Sequence, residues 1–538
     1  MKTSDPIRQL ADATRNTLIT ILLLVILISL IISLLPIIKG IFPITFDQGR
    51  DFLWVKNQVD FKKPSLVGPW GSLVGTFFGP LWFWLLTIPY LISDGSPLAM
   101  TLFNSFVIFS SFLLAALLFL KHNKSVAYFI IFLGFISPVV HNLANYPFSQ
   151  HLLPLLTILL IYSFTMILSK SSRFHFFLSF FWISLIYHAE PPIAVFSLLS
   201  LITITYLSKK KIKILNFKTL FLSSIFFIIP FLPLILFDFR HDFLQSKSII
   251  SLLLGQNQSL KEIAPLSFLQ RFLNRPLKFL TAFKEATLFI PSIISFFLLS
   301  LIAYLNHFKI KQNFLKKFWQ ASLIYIFSIL IISIFYPYDF KMFYLDGIKF
   351  IFIIWTAIAL NFCWQQKKIK PIVVFFLTLS FFINLRPFSF INSLKQNFAD
   401  RRSYGSLYIN KAEILDWIYQ TADNQGFKVY TFVPAVYDYD YQYMFFWYGL
   451  KQYDYLPADF SYSPDKPEYI PRKTEQLQRL QNKIKPASGL VYFIINSGSK
   501  KEKEDWQYSL PKENFQLIKT KSFPDNTLVK QYKIADIN

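Results

Sequence analysis

The feature that most constrains this chain is an uncharged apolar run near its start, from Thr17 to Ile38. A helix of about 20 apolar residues, rising 1.5 Å per residue, crosses the ~30 Å hydrocarbon core of a bilayer. The run is longer than the apolar core of a signal peptide, and no small-residue cleavage site follows it. We therefore expect it to be a retained membrane anchor.

Similar apolar runs recur along the chain as far as residue 385. They lie near 98–120, 125–143, 150–168, 175–187, 192–207, 218–237, 287–306, 319–336, 344–362 and 371–385. The composition agrees with a membrane protein, because only 16% of the residues are charged, against about 25% in soluble domains. The sequence therefore predicts a mostly α-helical, polytopic membrane protein with about eleven transmembrane helices.

Basic residues are concentrated in the short loops between alternate runs, and these loops contain no Asp or Glu. The loops are Lys121 to Lys124, Lys170 to Arg173, Lys209 to Lys213, Lys309 to Lys317 and Lys367 to Lys370. By the positive-inside rule, they and the N-terminus lie in the cytoplasm of a multi-pass plasma-membrane protein. This topology explains most of the net charge of +24, so the charge does not indicate nucleic-acid binding.

The basic loops all lie on one side of the membrane only if GPLWFWLLTIPYLI, residues 79–92, does not cross it. We interpret it as a re-entrant or interfacial helix on the outer face, because Trp82, Trp84 and Tyr90 suit a membrane interface. Residues 40–97 then form a large first outer loop within a transmembrane domain of residues 1–386.

After residue 386 the apolar runs give way to mixed sequence. AEILDWIYQTA and TEQLQRLQNKI have helical spacing, whereas FKVYTFV and GLVYFII are typical of buried strands. We expect residues 387–538 to form an extracytoplasmic α/β domain with its own core. Its aromatic run 437–449 suits either stacking on sugar rings or a membrane interface, and we favour the interface.

The first outer loop carries the leading catalytic candidates, in the stretch FDQGRDF. A helix here places Asp47 and Asp51 four residues apart on one face, with Arg50 beside them. A carboxylate near the lipid boundary can accept a proton from an acceptor hydroxyl, as a general base does. The same residues also fit a capped, solvated loop helix in which Arg50 forms a local ion pair.

Two further outer segments carry candidate substrate-binding residues. His188 and Glu190 interrupt an apolar stretch just before two prolines, and ionisable groups at such a depth are functional candidates. Arg240 and His241 end a predicted span and can bind a phosphate. For Arg240 an interfacial, snorkelling side chain is the simpler interpretation.

A fourth outer segment, YPYDFKMFY at 336–344, adds Tyr338 and Lys341 as candidate substrate-binding residues. Asp346 follows within the next span, where a paired structural role and a substrate role are equally compatible with the sequence. The chain contains no P-loop, no dinucleotide-binding glycine pattern and no HExxH zinc motif.

The architecture resembles the GT-C class of integral-membrane glycosyltransferases. The resemblance is carried by FDQGRD after the first span, by GPLWFWLL, in which a proline precedes an aromatic helix, by many short spans and by an outer C-terminal domain. It is nearest to bacterial relatives of the protein O-mannosyltransferases and of the lipid A aminoarabinose transferase, which are similar to glycosyltransferase family 39.

The resemblance implies that a sugar passes from a polyprenyl-phosphate donor to an envelope glycan, lipid or protein acceptor outside the cytoplasm, usually with inversion. The family's catalytic Asp matches Asp47. The family often has an acidic residue directly after that Asp, whereas this chain has Gln48. We expect Asp51 to take the supporting role, and Arg50, Arg240 or His241 to contact the substrate. A divalent metal is an open alternative, and no other cofactor is indicated.

A transporter or lipid flippase is the main alternative, because broken spans such as 175–207 and buried charges also mark transport paths. A noncatalytic envelope protein with a partner-binding outer domain is a third. The sequence shows no evident inverted repeat, and its ionisable residues collect at one predicted face. Both observations favour the transferase.

Overall fold

The structure is a computed structural model, and it forms a helical bundle followed by a domain with a five-stranded sheet. It describes residues 6–71, 75–208, 217–254, 266–288, 290–385, 406–434, 437–463, 469–510 and 514–534. The helices of the bundle are α1 Pro6–Ile38, α2 Phe46–Asp60, α3 Leu81–Ser93, α4 Pro97–Leu120, α5 Lys124–Ile136, α6 Pro138–Ala144, α7 Leu153–Lys170, α8 Arg173–Ala189, α9 Pro191–Ser208, α10 Phe217–Arg240, α11 Leu244–Leu253, α12 Phe268–Thr287, α13 Ser292–Phe308, α14 Asn313–Phe335, α15 Asp346–Trp364 and α16 Lys370–Leu385.

All eleven predicted apolar runs fall on helices, which confirms a polytopic, mostly α-helical fold. Within the described residues, seven helical segments are long and apolar enough to cross a membrane, and two bent pairs raise the number to nine. The two remaining runs lie on α8 and α16, of 17 and 16 residues. Helix α3 has 13 residues, which is too short for a straight crossing.

Prolines explain where the predicted spans break. The run 125–143 is two helices bent by 61° at Ser137, because Pro138 holds Ser137 in an extended conformation. The run 287–306 is interrupted in the same way, since α12 and α13 meet at 84° next to Pro291. Glu190 is likewise extended before Pro191 and separates α8 from α9.

The bundle has two chemically different ends, which the 24 residues of α4 hold about 36 Å apart. At one end, the basic loop with His122 and Asn123 bonds to Gln312 of the basic loop before α14. At the other end, Trp447 of the C-terminal domain donates to the Asp94 carbonyl just before α4. We call this second end the domain end.

The C-terminal domain is an α/β unit, as predicted. Its strands are β1 Phe427–Phe432, β2 Asp459–Ser461, β3 Leu490–Ile495, β4 Phe515–Ser522 and β5 Leu528–Ile534, in the order β2-β1-β3-β5-β4. Strand β1 is parallel to β2 and β3, whereas β5 is antiparallel to β3 and β4. Helices α17 Tyr408–Ala422 and α21 Lys500–Tyr508 cover opposite faces, with α18 Tyr439–Met444, α19 Leu450–Tyr453 and α20 Lys473–Arg479 between the strands.

The aromatic run 437–449 corrects a sequence interpretation. We expected it at the membrane interface, but Tyr439, Tyr441 and Tyr443 are buried and α18 packs directly on α2. A methyl group on Gly49 would overlap the backbone of Asp440, so glycine is required for this close approach. The alternation of tyrosine and polar residues in this run suits either a lipid interface or a protein interface, which explains the error.

The proposed boundary between domains at 386/387 lies outside the described residues, as does the basic loop 209–213. The first described residues after the boundary contact the first loop: the Ile44 N–H donates to the Ser406 carbonyl at 2.6 Å. The C-terminal domain therefore sits against the loop that carries Asp47.

Candidate active site at the domain end

Asp47, Arg50 and Asp51 form one ion-paired unit on the first two turns of α2, which we call the arginine cluster. Arg50 Nη1 lies 3.0 Å from Asp47 Oδ1, and Arg50 Nη2 lies 2.8 Å from Asp51 Oδ1. Arg50 Nε donates to the same Asp51 oxygen at 2.9 Å. The Asp47 side chain is 41% exposed and that of Asp51 only 2%. Asp47 is therefore the carboxylate that a substrate can reach.

Asp51 is surrounded by protein donors. Trp82 Nε1 of α3 donates to its Oδ2 at 3.1 Å, while Arg50 donates to Oδ1. Burial raises the pKa of Asp51 to about 6, although the Arg50 charge opposes that change. These contacts fasten Arg50 and join α2 to α3.

Gln48, at the position where the family often has a second acid, connects α2 to the segment between α6 and α7. Its Oε1 accepts from the Thr45 N–H at 3.0 Å in a capping box, and its Nε2 donates to the Pro147 carbonyl at 3.0 Å. Within the part of the chain that the structure describes, no group of three or more His, Cys, Asp and Glu side chains is arranged to hold a metal ion.

Tyr146 lies next to Pro147, in the segment that Gln48 contacts. Burial raises its pKa to about 12, and the charges of Asp346 and Asp47 act in the same direction. Tyr146 was not predicted as a site residue, because only its aromatic side chain and its position next to Pro147 distinguish it in the sequence.

Glu190 lies on the other side of the same segment, at the break between α8 and α9. Gln150 Nε2 donates to Glu190 Oε2 at 2.9 Å, and Glu190 is buried. Burial of Tyr336 raises its pKa, and the nearby Glu190 acts in the same direction. Residues 146–150 thus connect the arginine cluster to Glu190 at the domain end.

His188 occupies a packing position. Its Nε2 donates to the Pro230 carbonyl of α10 at 2.9 Å, and its Nδ1 accepts from the Leu81 N–H at 3.4 Å. A methyl group on Gly79 would overlap the imidazole ring. The contacts of His188 therefore join α3, α8 and α10, two residues before Glu190.

Arg240 and His241 are exposed where α10 ends. His241 Nδ1 donates to the Phe237 carbonyl at 2.8 Å, and its ring stacks on Phe237 at 4.1 Å between centroids. Phe237 in turn contacts Phe77 of the first loop. The structure thus places this pair beside the first loop.

Tyr338 and Lys341 lie in an ion-paired loop before α15. Asp339 accepts from Lys278 of α12 and pairs with Lys341, both at 2.8 Å, and these hydrogen bonds lower the pKa of Asp339 to about 2. The Tyr338 carbonyl accepts from Arg275 Nη2 at 2.5 Å. Two lysines share one carboxylate here, so this loop has a net positive charge.

Lys349 and Glu285 were overlooked in the sequence. Lys349 Nζ lies 2.9 Å from both Asp346 and Glu285, and we call these three residues the lysine cluster. The spacing of Asp346 and Lys349 is readable as a helical i,i+3 pair. Glu285 comes from α12 and was not predictable from spacing.

No family model and no curated protein matches this sequence. Solved structures do match: ArnT from Cupriavidus metallidurans bound to undecaprenyl phosphate aligns with a TM-score of 0.57, at 10% identity, over 97% of this chain and 98% of that chain. The fold is similar to that of ArnT. The apo form of ArnT gives a TM-score of 0.53 at 9% identity, over the same shares of both chains.

The ArnT match covers the C-terminal domain as well as the bundle, because nearly all of both chains is aligned. It confirms, at the level of fold, the predicted resemblance to the lipid A aminoarabinose transferase and the GT-C class. At this identity the likeness to ArnT concerns the fold.

Proposed function

We propose that this chain is a membrane glycosyltransferase that moves a sugar from a polyprenyl-phosphate donor to a lipid, glycan or protein acceptor, with inversion. The observation that carries the proposal is Asp47, an exposed carboxylate that buried Arg50 holds at the domain end of an ArnT-like bundle. The undecaprenyl phosphate bound to ArnT supports a donor of this chemical class.

We assign the domain end to the extracytoplasmic face. The basic loops around His122 and Gln312 share the opposite end of the bundle, which the positive-inside rule places in the cytoplasm. The donor's isoprenoid chain would lie against the apolar side chains that α10 and α12 expose. Residues 1–386 would then supply the membrane-embedded catalytic part, and 387–538 its extracytoplasmic cover.

In the proposed reaction, Asp47 accepts the proton of the acceptor hydroxyl as its oxygen bonds to the anomeric carbon. The bond from that carbon to the phosphate oxygen breaks, and the electron pair leaves with the polyprenyl phosphate. Arg50 positions Asp47, and Asp51 positions Arg50. Burial raises the pKa of Glu190 to about 8, so this side chain is mostly protonated at neutral pH and would donate a hydrogen bond to the substrate.

The leaving phosphate gains negative charge, so cations near it stabilise the products. Arg240 presents an exposed guanidinium beside the first loop, and Lys341 lies in a loop with a net positive charge. We assign phosphate contacts to these two residues, with His241 and Tyr338 as their neighbours. His188 supports the site through its packing against Gly79.

The deciding experiment uses the full-length protein in lipid nanodiscs with a panel of polyprenyl-phosphate sugars. Release of polyprenyl phosphate, dependent on Asp47, is the expected result. The assay is run with and without a chelator, which tests a metal requirement directly. If labelled donor instead crosses vesicle membranes intact while no polyprenyl phosphate is released, the flippase alternative is correct and the transferase proposal fails.

A further inference from the structure

Two large aromatic side chains are exposed beside the arginine cluster, one from each part of the chain. Trp70 of the first loop is 38% exposed, and Tyr437 of the C-terminal domain is 40% exposed. Both contact the buried Tyr439, with ring centroids 6.2 Å and 5.7 Å away respectively. The two exposed rings therefore flank one buried ring at the junction of the two parts.

This junction is next to the proposed base. The Arg50 guanidinium carbon lies 6.0 Å from the centre of the Trp70 ring, and Arg50 Nη1 lies 3.0 Å from Asp47. Phe46, the neighbour of Asp47, packs edge-on against Tyr439 at 4.8 Å. An exposed carboxylate and two exposed aromatic rings thus share one small surface.

Tyr437 is held in place by contacts within the C-terminal domain. Tyr437 stacks on Tyr469 at 4.9 Å, and the Tyr469 hydroxyl donates to the buried Asp438. Gln442 Nε2 donates to the same Asp438 at 2.9 Å. Such a network pre-orients the aromatic surface and lowers the entropy cost of binding.

We propose that Trp70 and Tyr437 form the acceptor subsite, and that the acceptor is a saccharide whose ring packs on these side chains and presents a hydroxyl to Asp47. This inference rests on the proposed glycosyltransferase function. The C–H face of a pyranose is apolar and matches an aromatic face, while its hydroxyls remain at the edge, within reach of Asp47 and Arg50. An alkyl alcohol or a peptide hydroxyl lacks this stacking face.

The test measures sugar transfer by the full-length protein in nanodiscs, using a donor that the wild type consumes. The acceptors are octyl glucoside, octyl galactoside and octyl N-acetylglucosaminide, with 1-octanol and a Ser/Thr-rich peptide for comparison. We expect transfer to a glycoside but not to octanol or the peptide. Trp70→Ala and Tyr437→Ala should each raise the acceptor KM by ~10-fold, which equals about 1.4 kcal/mol, with little change in kcat.

Trp84→Ala is the matched control, because Trp84 is in the same loop and also 38% exposed, and its Nε1 donates to the Ser65 carbonyl. Its acceptor KM should stay at the wild-type value, and Trp70→Phe should recover most of the loss because it retains a stacking ring. Thermal unfolding of each variant identifies any that fail to fold.

An unchanged acceptor KM in both alanine variants, or an equal rise in Trp84→Ala, would overturn the subsite. Transfer to octanol or to the peptide but to no glycoside would overturn the saccharide assignment. In both cases the released polyprenyl phosphate still supports the proposed function. If the wild type releases no polyprenyl phosphate from any donor, the proposed function fails and the subsite fails with it.

Discussion

The arginine cluster on α2 and the lysine cluster at the start of α15 have the same charge pattern but different geometry. In each, a mostly buried cation joins a buried carboxylate to a more exposed one. The more exposed members, Asp47 and Glu285, have side chains 41% and 33% exposed. Charge pattern and exposure alone would therefore assign the two clusters the same role.

The cation and its connections distinguish them. Arg50 uses its fork to bond Asp51 twice and Asp47 once, all within one helix. Lys349 is a compact charge that joins α15 to Glu285 of α12. A forked cation within one helix orients a neighbouring side chain, whereas a point charge between two helices fastens them. We infer that the first cluster is catalytic and the second structural.

The largest expected effect comes from Asp47→Asn, which keeps the size of the side chain but removes the proton acceptor. Turnover should fall by at least ~100-fold while donor binding persists. Polyprenyl phosphate release and donor affinity are measured on the same preparation. Asp51→Asn is the control, with a smaller expected loss. An equal loss there would show that the carboxylates act as a pair or hold a metal, and near-normal turnover of Asp47→Asn would refute the assignment.

Lys349→Met tests the lysine cluster by leaving two carboxylates without their cation. We expect the free energy of unfolding to fall by about 3 kcal/mol, while turnover per folded molecule stays close to the wild-type value. Unfolding in mixed micelles gives the first quantity. Adding Asp346→Asn should restore much of the stability because it removes the buried charge. Lost turnover with unchanged stability would instead make this cluster catalytic.

Arg50→Lys tests whether the fork of the cation matters. A single ammonium cannot reproduce three forked contacts, so we expect turnover to fall by ~10-fold through poorer orientation of Asp47. Lys349→Arg is the reciprocal control and should leave turnover per folded molecule nearly unchanged. Equal turnover in Arg50→Lys and the wild type would mean that charge alone suffices in the arginine cluster.

The smallest expected effect is a pH dependence from Asp51. Burial raises its pKa from 3.8 to about 6, so the folded state binds this proton more tightly than the unfolded state. The stability contribution of Asp51 is therefore present at low pH and lost as the pH rises from about 4 through about 6. The wild type should gain stability relative to Asp51→Asn between pH 7 and pH 5. An unchanged difference would contradict the raised pKa.

The same proton should also affect activity, because protonated Asp51 holds Arg50 less strongly. We expect wild-type turnover to fall several-fold as the pH decreases through about 6. The ratio of wild-type to Asp51→Asn turnover should fall over the same interval. A constant ratio would separate Asp51 from the orientation of Arg50.

Local patterns predicted much of this molecule, because they depend on residues that are near in sequence. The eleven apolar runs became helices, FKVYTFV and GLVYFII became β1 and β3, and α2 brought Asp47 and Asp51 together through one helical turn. The pattern of basic loops also predicted that the loops with His122 and Gln312 share an end, and these two residues do meet.

The sequence alone determined a polytopic helical chain, an α/β C-terminal domain and a carboxylate–arginine pair after the first span, because hydropathy and helical periodicity act over a few residues. Tertiary structure alone decided that the 437–449 run packs on α2, that His188 fills the space at Gly79 and that Glu285 meets Lys349. The physical reason is that an apolar surface is equally compatible with lipid and with another helix. Hydropathy therefore shows which surfaces avoid water, and only the packed structure shows which residues they contact.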